Sequence, residues 1–290
     1  MDYIIRATAG NGSVRAFATI TKETVNTAFN LHKTSPVITA ALGRTLTAGA
    51  IMGYMLKDEK DILTINIKGD GPAGGIVVTA NNKVEVKGYC FNNLVDIPLK
   101  PNGKLDVSGA LGYGSFTVIK DLGLKEPYVG QIPLVSGEIA EDLTYYFATS
   151  EQVPSAVALG VLVDRDYSVK QAGGFVIQVM PDADEEVVSA IENKMAKIKS
   201  VTSMFESGMT PEDILQDVLG EFELNILEKT DVKFSCNCSR ERVEKALLSI
   251  GKAEIEDILK TDKKAVLHCH FCNKDYEFDE NYLTNLLASL

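Results

Sequence analysis

Through the first 180 residues, short stretches with apolar residues at every second position alternate with stretches of helical period, which predicts an α+β domain. Residues 3–7 and 14–19 read as strands flanking Gly10-Asn11-Gly12, a hairpin signal. A helical pattern covers 22–32, with Thr21 as its N-cap, and Pro36 opens a second helix that runs to about residue 56. This second helix is rich in Ala, Gly and Thr. Small residues let other backbone approach closely, which places it in the core. Strand patterns follow at 62–67, 76–79, 84–86, 116–120, 156–163 and 175–180, and 139–151 reads as helix.

The pattern changes after Pro181. Residues 182–231 contain thirteen Asp or Glu against four Lys, a net of −9 out of −11 for the whole chain. Helical logic persists at 182–199, where Val187, Val188, Ile191, Met195 and Ile198 share a face, with acids early and lysines late as the helix dipole prefers. Ser207-Gly208 interrupts. Thr210-Pro211 then starts another helix carrying Ile214, Leu215, Val218 and Leu219, with Gly220 as its stop, and 224–234 reads as extended. The expected organisation is an N-terminal α+β core domain at 1–181, an acidic helical linker or hinge at 182–232, and a small C-terminal domain at 233–290. Helical patterns also lie at 240–250 and 253–260.

Composition narrows the function classes. Hydrophobic residues make up 45% and charged residues 24%, ordinary values for a folded domain. A chain of net charge −11 is a poor candidate for nucleic-acid binding, which draws on phosphate neutralisation by Lys and Arg. The apolar stretch at 36–56 is broken by Thr39, Arg44, Thr45 and Thr47 and does not read as a membrane span. The N-terminus lacks a basic start followed by an apolar run, so a cytoplasmic location is expected.

Four of the five cysteines form two close pairs, Cys236-Asn237-Cys238 and Cys269-His270-Phe271-Cys272, with 30 residues between the pairs. In a reducing compartment such a cluster points to a metal site or a redox device rather than a disulfide framework. Four thiolates suit tetrahedral zinc, and a 58-residue tail is short for an independent core, so a staple is expected there. His268 and His270 are competing ligands, but the all-sulfur set is simpler. Spacing alone leaves open whether the site is permanently closed or redox-labile; a Cys-x-Cys disulfide closes a tight ring, which favours an oxidising bond. Phe234, Phe271, Tyr276 and Phe278 are expected to pack around the cysteine knuckles. Cys90 reads as a small buried hydrophobe and His32 as a cap or surface residue. Gly69-x-Gly71-x-x-Gly74 satisfies a dinucleotide-binding pattern, but strand rather than helix follows it, so it is expected to be a turn.

With these residues the chain resembles the redox-regulated 33 kDa heat-shock chaperonins. The cysteine pattern is similar to that family's zinc centre. The run Gly69-Asp70-Gly71-Pro72-Ala73-Gly74-Gly75 resembles its glycine-rich turn, and Tyr128-Val129-Gly130-Gln131 and Glu138-Ile139-Ala140-Glu141-Asp142 resemble its middle segments. The resemblance spans essentially the whole chain. It implies a chaperone and not an enzyme, with one Zn²⁺ per reduced chain on Cys236, Cys238, Cys269 and Cys272 and no holding activity in that state. It also implies that oxidant, often with heat, forms Cys236–Cys238 and Cys269–Cys272 disulfides and releases zinc. Tail and linker then unfold, and the protein, a homodimer when active, holds unfolding clients without ATP. Val187, Val188, Ile191, Ile214, Leu215 and Leu219 are candidates for the client-binding surface; their alternative role is packing against the N-terminal domain. Two other functions are weighed. One is a zinc-ribbon adaptor binding nucleic acid or a protein partner; its nucleic-acid form predicts a basic tail, whereas 233–290 has a net charge of −1. A thiol–disulfide oxidoreductase predicts Cys269-x-x-Cys272 on a strand-to-helix turn, whereas its flanks read as a hairpin.

Overall fold

The Gly10-Asn11-Gly12 turn joins β1 (Tyr3–Ala9) to β2 (Val14–Ile20) in unbroken antiparallel register, from Tyr3 opposite Ile20 to Ala9 opposite Val14. The structure, a computed structural model, describes residues 1–181 and 183–288, so Asp182, the expected first residue of the linker, and the last two residues of the tail lie outside it. It continues with α1 (Lys22–His32), α2 (Pro36–Tyr54), β3 (Ile62–Gly69), β4 (Gly75–Asn81), β5 (Glu85–Cys90), α3 (Val107–Leu111), β6 (Gly114–Asp121) and β7 (Tyr128–Pro133). Then come α4 (Ala140–Tyr146), β8 (Ser155–Val163), β9 (Val169–Val179), α5 (Glu185–Met195), α6 (Val201–Glu206), α7 (Pro211–Leu219), β10 (Asn225–Asp231) and β11 (Lys233–Phe234). All of these belong to one unit, Met1–Ser235; the second unit is Cys236–Leu290.

Two sheets organise the first unit. One is antiparallel in the order β10-β1-β2-β9-β8; the other runs β11-β5-β4-β3-β6-β7, antiparallel except where β11 joins β5 in parallel. The main core includes α2 and residues of both sheets, such as Ile4 and Phe17 from the first and Leu63, Ile65, Ile76 and Val78 from the second. Every residue of α2 except Pro36 and Arg44 is buried. Its small residues are required: a Cβ on Gly43 would lie 2.6 Å from Val25 and 2.7 Å from Val161, and one on Gly49 would lie 2.6 Å from Val78. The Gly69–Gly74 run is a β3–β4 turn packed on α3, as its sequence context predicts, with no helix start to receive a phosphate.

Several local expectations are corrected. Thr21 does not cap α1; its hydroxyl bonds to Thr47 Oγ1 at 2.7 Å, and the cap is Asp2, which accepts from the Thr24 N–H at 2.7 Å and the Glu23 N–H at 3.1 Å. His32 is buried rather than on the surface, with Nε2 donating to the Gly88 carbonyl at 3.0 Å. The Asn81-Asn82 turn extends to Val84, so β5 begins one residue later than the pattern suggests. The helix expected at 182–199 is shorter, and α6 follows it with Ser200 as N-cap, accepting from the Ser203 N–H at 3.3 Å.

The acidic segment folds onto the outer face of the first sheet. Ile191, Val201, Met204, Phe205, Ile214, Leu215, Val218 and Leu219 are buried against Ile5, Ala7, Ala16, Ala18, Phe175 and Ile177, and Val187 packs at the margin. Thr210 and Asp213 form the capping box of α7: Thr210 Oγ1 accepts from the Asp213 N–H at 3.2 Å, and Asp213 Oδ2 accepts from the Thr210 N–H at 2.8 Å. As the extended pattern predicts, β10 pairs along the edge of β1.

A buried corner joins β7 to α4. Asp142, fully buried, accepts from the backbone N–H groups of Val135, Ser136, Gly137 and Ile139. This holds Ile139 at φ +62, a conformation strained for a β-branched residue. Beside it Glu138 accepts from Arg44 at 2.7 Å and from Lys100 at 2.5 Å. Burial pushes the Glu138 carboxyl up, but the hydrogen bonds from Lys100 and Arg44 outweigh it and hold the pKa below the usual 4.5. A depressed folded pKa contributes stability that is present above the unfolded value and lost as pH falls through the folded one. Glu138→Gln is therefore expected to cost about 2 kcal/mol at pH 7, the scale of hydrogen bonds to charged groups. The difference from wild type should shrink as pH falls below 4.5, read from urea unfolding midpoints of the first unit.

Candidate metal centre

The second unit contains α8 (Arg240–Ser249), α9 (Lys252–Thr261), β12 (Ala265–Cys269), β13 (Lys274–Phe278) and α10 (Glu280–Ala288). Its core is small: Leu247, Ile255, Ala265, Tyr276, Phe278, Leu283 and Leu286, with Cys238 and Cys269 packed against it. Two knuckles bring the cysteines together. Cys236 and Cys238 precede α8, whose N-cap Ser239 accepts from the Arg242 N–H at 3.3 Å. Cys269 ends β12 and Cys272 lies in the turn to β13. The Cys269 carbonyl accepts from the N–H groups of Cys272 at 3.2 Å and Asn273 at 2.8 Å, and Asn273 takes the left-handed φ of +55 that completes the turn. The pair thus sits at the tip of a β-hairpin, with Cys269 opposite Lys274, and not on the strand-to-helix turn of an oxidoreductase.

All four sulfurs lie within 4.8 Å of one another. Cys236 and Cys269 are 3.7 Å apart and Cys238 and Cys272 are 3.4 Å apart. A tetrahedron of thiolates at about 2.3 Å from a central ion has edges of about 3.8 Å, so the cluster has the geometry of a closed four-sulfur metal site. Charge makes the same demand. Burial raises the Cys236 thiol, and burial together with hydrogen bonding to Cys238 raises Cys272. Cys238 is opposed by burial but held down at about 7 by the hydrogen bond from the Tyr276 hydroxyl, at 3.1 Å, and by those from its neighbouring thiols. Four thiolates at this spacing repel one another unless a cation neutralises them. A soft divalent or monovalent ion suits an all-sulfur set.

The histidines stay outside the cluster. His268 Nδ1 bonds to Asp275 Oδ1 at 2.6 Å and Nε2 to Asn273 Oδ1 at 3.3 Å, and its ring meets that of His270 edge-on at 5.3 Å. Tyr276 and Phe278 pack beneath the knuckles as expected, with Arg240 over the Phe278 ring at 4.4 Å. Phe234 does not: it lies in β11 and packs into the core of the first unit. Cys90 is buried in that unit, its thiol pushed up to about 11 by burial, which suits a packing residue rather than a redox one. Among the client-surface candidates, Ile191, Ile214, Leu215 and Leu219 are buried and Val187 and Val188 are half-buried. The Tyr276 hydroxyl's contact with Cys238 escaped the sequence reading. Strand alternation in the hairpin, which sets Tyr276 opposite Leu267, is the signal that could have pointed to an inward side chain.

Among the described residues no helix is long and apolar enough to cross a membrane. The family described as "Hsp33 protein" matches residues 2–279. The 33 kDa chaperonin of Lachnoclostridium phytofermentans is 59% identical over 99% of this chain and 98% of that protein. That of Clostridioides difficile is 54% identical over 100% of this chain and 99% of that protein. The crystal structure of the 33 kDa chaperonin from Thermotoga maritima superposes with a TM-score of 0.92 at 41% identity, covering 99% of this chain and 98% of that one. In sequence and in fold, the chain belongs to the Hsp33 family, which is a family of chaperones and not of enzymes.

Proposed function

We propose that the chain is a cytoplasmic, ATP-independent holdase whose activity is switched by oxidation of Cys236, Cys238, Cys269 and Cys272, with Zn²⁺ as the ion they hold in the reduced state. The observation that carries this reading is the convergence of four sulfurs within 4.8 Å in a unit whose own core is small. When bound, zinc keeps the sulfurs deprotonated and cross-links the two knuckles. The remaining chemistry belongs to the chain. Cys236 with Cys238, and Cys269 with Cys272, each give two electrons to an oxidant such as hydrogen peroxide. For each pair one S–S bond forms, the O–O bond of the peroxide breaks, and two protons from solvent complete two waters.

Pairing between neighbours is what kinship with the Hsp33 family implies, and its consequence for the second unit follows from loop length. Cross-pairs such as Cys236–Cys269 would close a loop of about 34 residues and keep the knuckles joined, stabilising the fold by roughly 3–4 kcal/mol. Neighbour pairs close tiny loops and leave the two knuckles unconnected, so the second unit loses its staple. The linker at 182–232 then comes free. Its apolar residues, the buried Ile191, Ile214, Leu215 and Leu219 and the half-buried Val187 and Val188, become available to unfolding clients, while its net charge of −9 over 182–231 keeps the complex soluble. The active form is a homodimer.

The test is a matched count. Peroxide at elevated temperature is expected to remove four thiols and one zinc per chain, and peptide mapping should return the Cys236–Cys238 and Cys269–Cys272 links. Suppression of aggregation of a heat-unfolded client should appear only after that treatment. Equal suppression by reduced and oxidised protein sinks the switch, and cross-paired disulfides sink the release step.

A further inference from the structure

A cleft of about 540 Å³ opens in the first unit where β1, β2, the end of α2 and the edge strand β10 meet, within the size range of small-molecule sites. Arg6, Arg15, Lys57, Tyr54, Asn82 and Glu228 are among its lining residues. Three cations against one carboxylate make it a locally positive site on a chain of net charge −11. Strand register sets the two arginines side by side. Arg6 is opposite Phe17 and Thr8 opposite Arg15, so both guanidinium groups leave the same face of the sheet as diagonal neighbours.

Both groups are held in place. Arg15 Nε donates to Gln178 Oε1 at 2.8 Å, and the fully buried Gln178 in turn donates to Ser155 Oγ at 3.0 Å. Arg6 Nη2 donates to the Tyr54 carbonyl at 3.0 Å, and its guanidinium lies 4.6 Å from the centre of the Tyr54 ring. The Nε of Arg6 is buried with no hydrogen-bond partner among the described residues, and so is Oδ1 of Asn82. Burial lowers the Arg15 pKa; the Glu151 charge works against this and the Arg6 charge adds to it. Among the described residues no carboxylate oxygen lies within 4.0 Å of either guanidinium. Two fixed guanidinium groups with no ion-paired carboxylate, beside an unsatisfied donor and an unsatisfied acceptor, describe a site awaiting a ligand.

We infer that this cleft binds a small phosphate monoester with a hydroxyl-bearing body, a phosphorylated sugar or a mononucleotide. Arg6, Arg15 and Lys57 supply the charge and planar forks that match a phosphate dianion. Asn82 and Glu228 supply acceptors for the hydroxyls of the body. A carboxylate monoanion would leave one guanidinium uncompensated, and a bare phosphate would leave the acceptors unused.

The test is isothermal titration of the reduced full-length chain at low salt with ribose 5-phosphate, adenosine monophosphate, inorganic phosphate and ribose. Saturable one-to-one binding of at least one monoester is expected, with inorganic phosphate weaker and ribose silent. Arg15→Gln is expected to weaken monoester binding by about tenfold or more, since charge-assisted hydrogen bonds are the strong ones. Lys57→Gln, at an exposed position that leaves the fold untouched, should weaken it several-fold and steepen nothing in the salt dependence. Absence of saturable monoester binding at millimolar concentration overturns the assignment, as does affinity unchanged in both variants or inorganic phosphate binding as tightly as the monoesters. No redox change enters the measurement, so its outcome is independent of the holdase reading.

Discussion

Stripping the metal from reduced protein with a strong chelator is expected to unfold Cys236–Leu290 while Met1–Ser235 stays folded. Among the described residues the second unit buries seven hydrophobic side chains in its core, and a domain of this size is marginal without a staple. A structural zinc contributes roughly 10–16 kcal/mol of apparent binding energy to a small module, which exceeds anything those side chains supply. Hydrogen exchange checks the expectation. Amides of α8, α9 and α10 should lose protection on chelation, whereas those of β3, β4 and β6 should keep theirs. Cys238→Ser should act in the same direction, since it removes one of the four candidate ligands together with the acceptor of the Tyr276 hydroxyl. Retained protection in the three helices after the metal has left would falsify the dependence of this unit on its thiolate site.

The second large effect is expected at Leu215→Ala. Leu215 is fully buried in the layer between the linker helices and the outer face of the first sheet. Truncating a buried leucine costs about 2–5 kcal/mol. Most of that loss falls on docking of the acidic segment, because the sheet keeps its other core, built around α2, on the opposite face. The docking equilibrium should shift by a factor on the order of 30 or more, tenfold for each 1.4 kcal/mol. Exchange in α5, α6 and α7 should rise, and reduced protein should gain holding activity toward a heat-unfolded client. Glu221→Ala, at an exposed position of the same segment, serves as the control and should change neither. If the helices loosen and no holding activity appears, their apolar face is packing surface alone.

What could be read from sequence follows from how local its cause is. The hairpin at Gly10-Asn11-Gly12, the helix start at Thr210-Pro211, and the Cys269–Cys272 knuckle are set within a few residues, and the structure has each of them where the pattern puts it. The α2 helix was legible as a core element because its Gly and Ala residues have no other use. What escaped is non-local. The cap of α1 comes from Asp2, some twenty residues upstream, so a search for a neighbouring Ser or Thr found Thr21 instead. His32 looked like a helix-end residue because nothing nearby announces the Gly88 carbonyl it meets. Short α6 has too few residues to display a period. Its seat is a glycine strip on other strands, where a Cβ on Gly160 would lie 2.6 Å from Val201 and one on Gly173 would lie 2.5 Å from Phe205. At the candidate metal centre the four cysteines that converge were legible from spacing, whereas the Tyr276 hydroxyl on Cys238 depends on how the hairpin lies against the first knuckle.

On the proposed release of the linker, the path of residues 225–235 sets the direction in which it peels. The chain leaves the edge of one sheet at Asp231, adds two residues to the edge of the other as β11, and makes a final backbone bond from the Ser235 N–H to the Val86 carbonyl at 2.9 Å. Cys236 is the next residue. This two-rung parallel ladder is a short clasp adjoining Cys236, so, on the proposed switch, slack from a melted tail is expected to fray that seam first, then the rim strand β10, and only then the helices behind it. On that reading oxidation would need no long-range relay through the core to reach the linker; the covalent chain itself would be the ripcord.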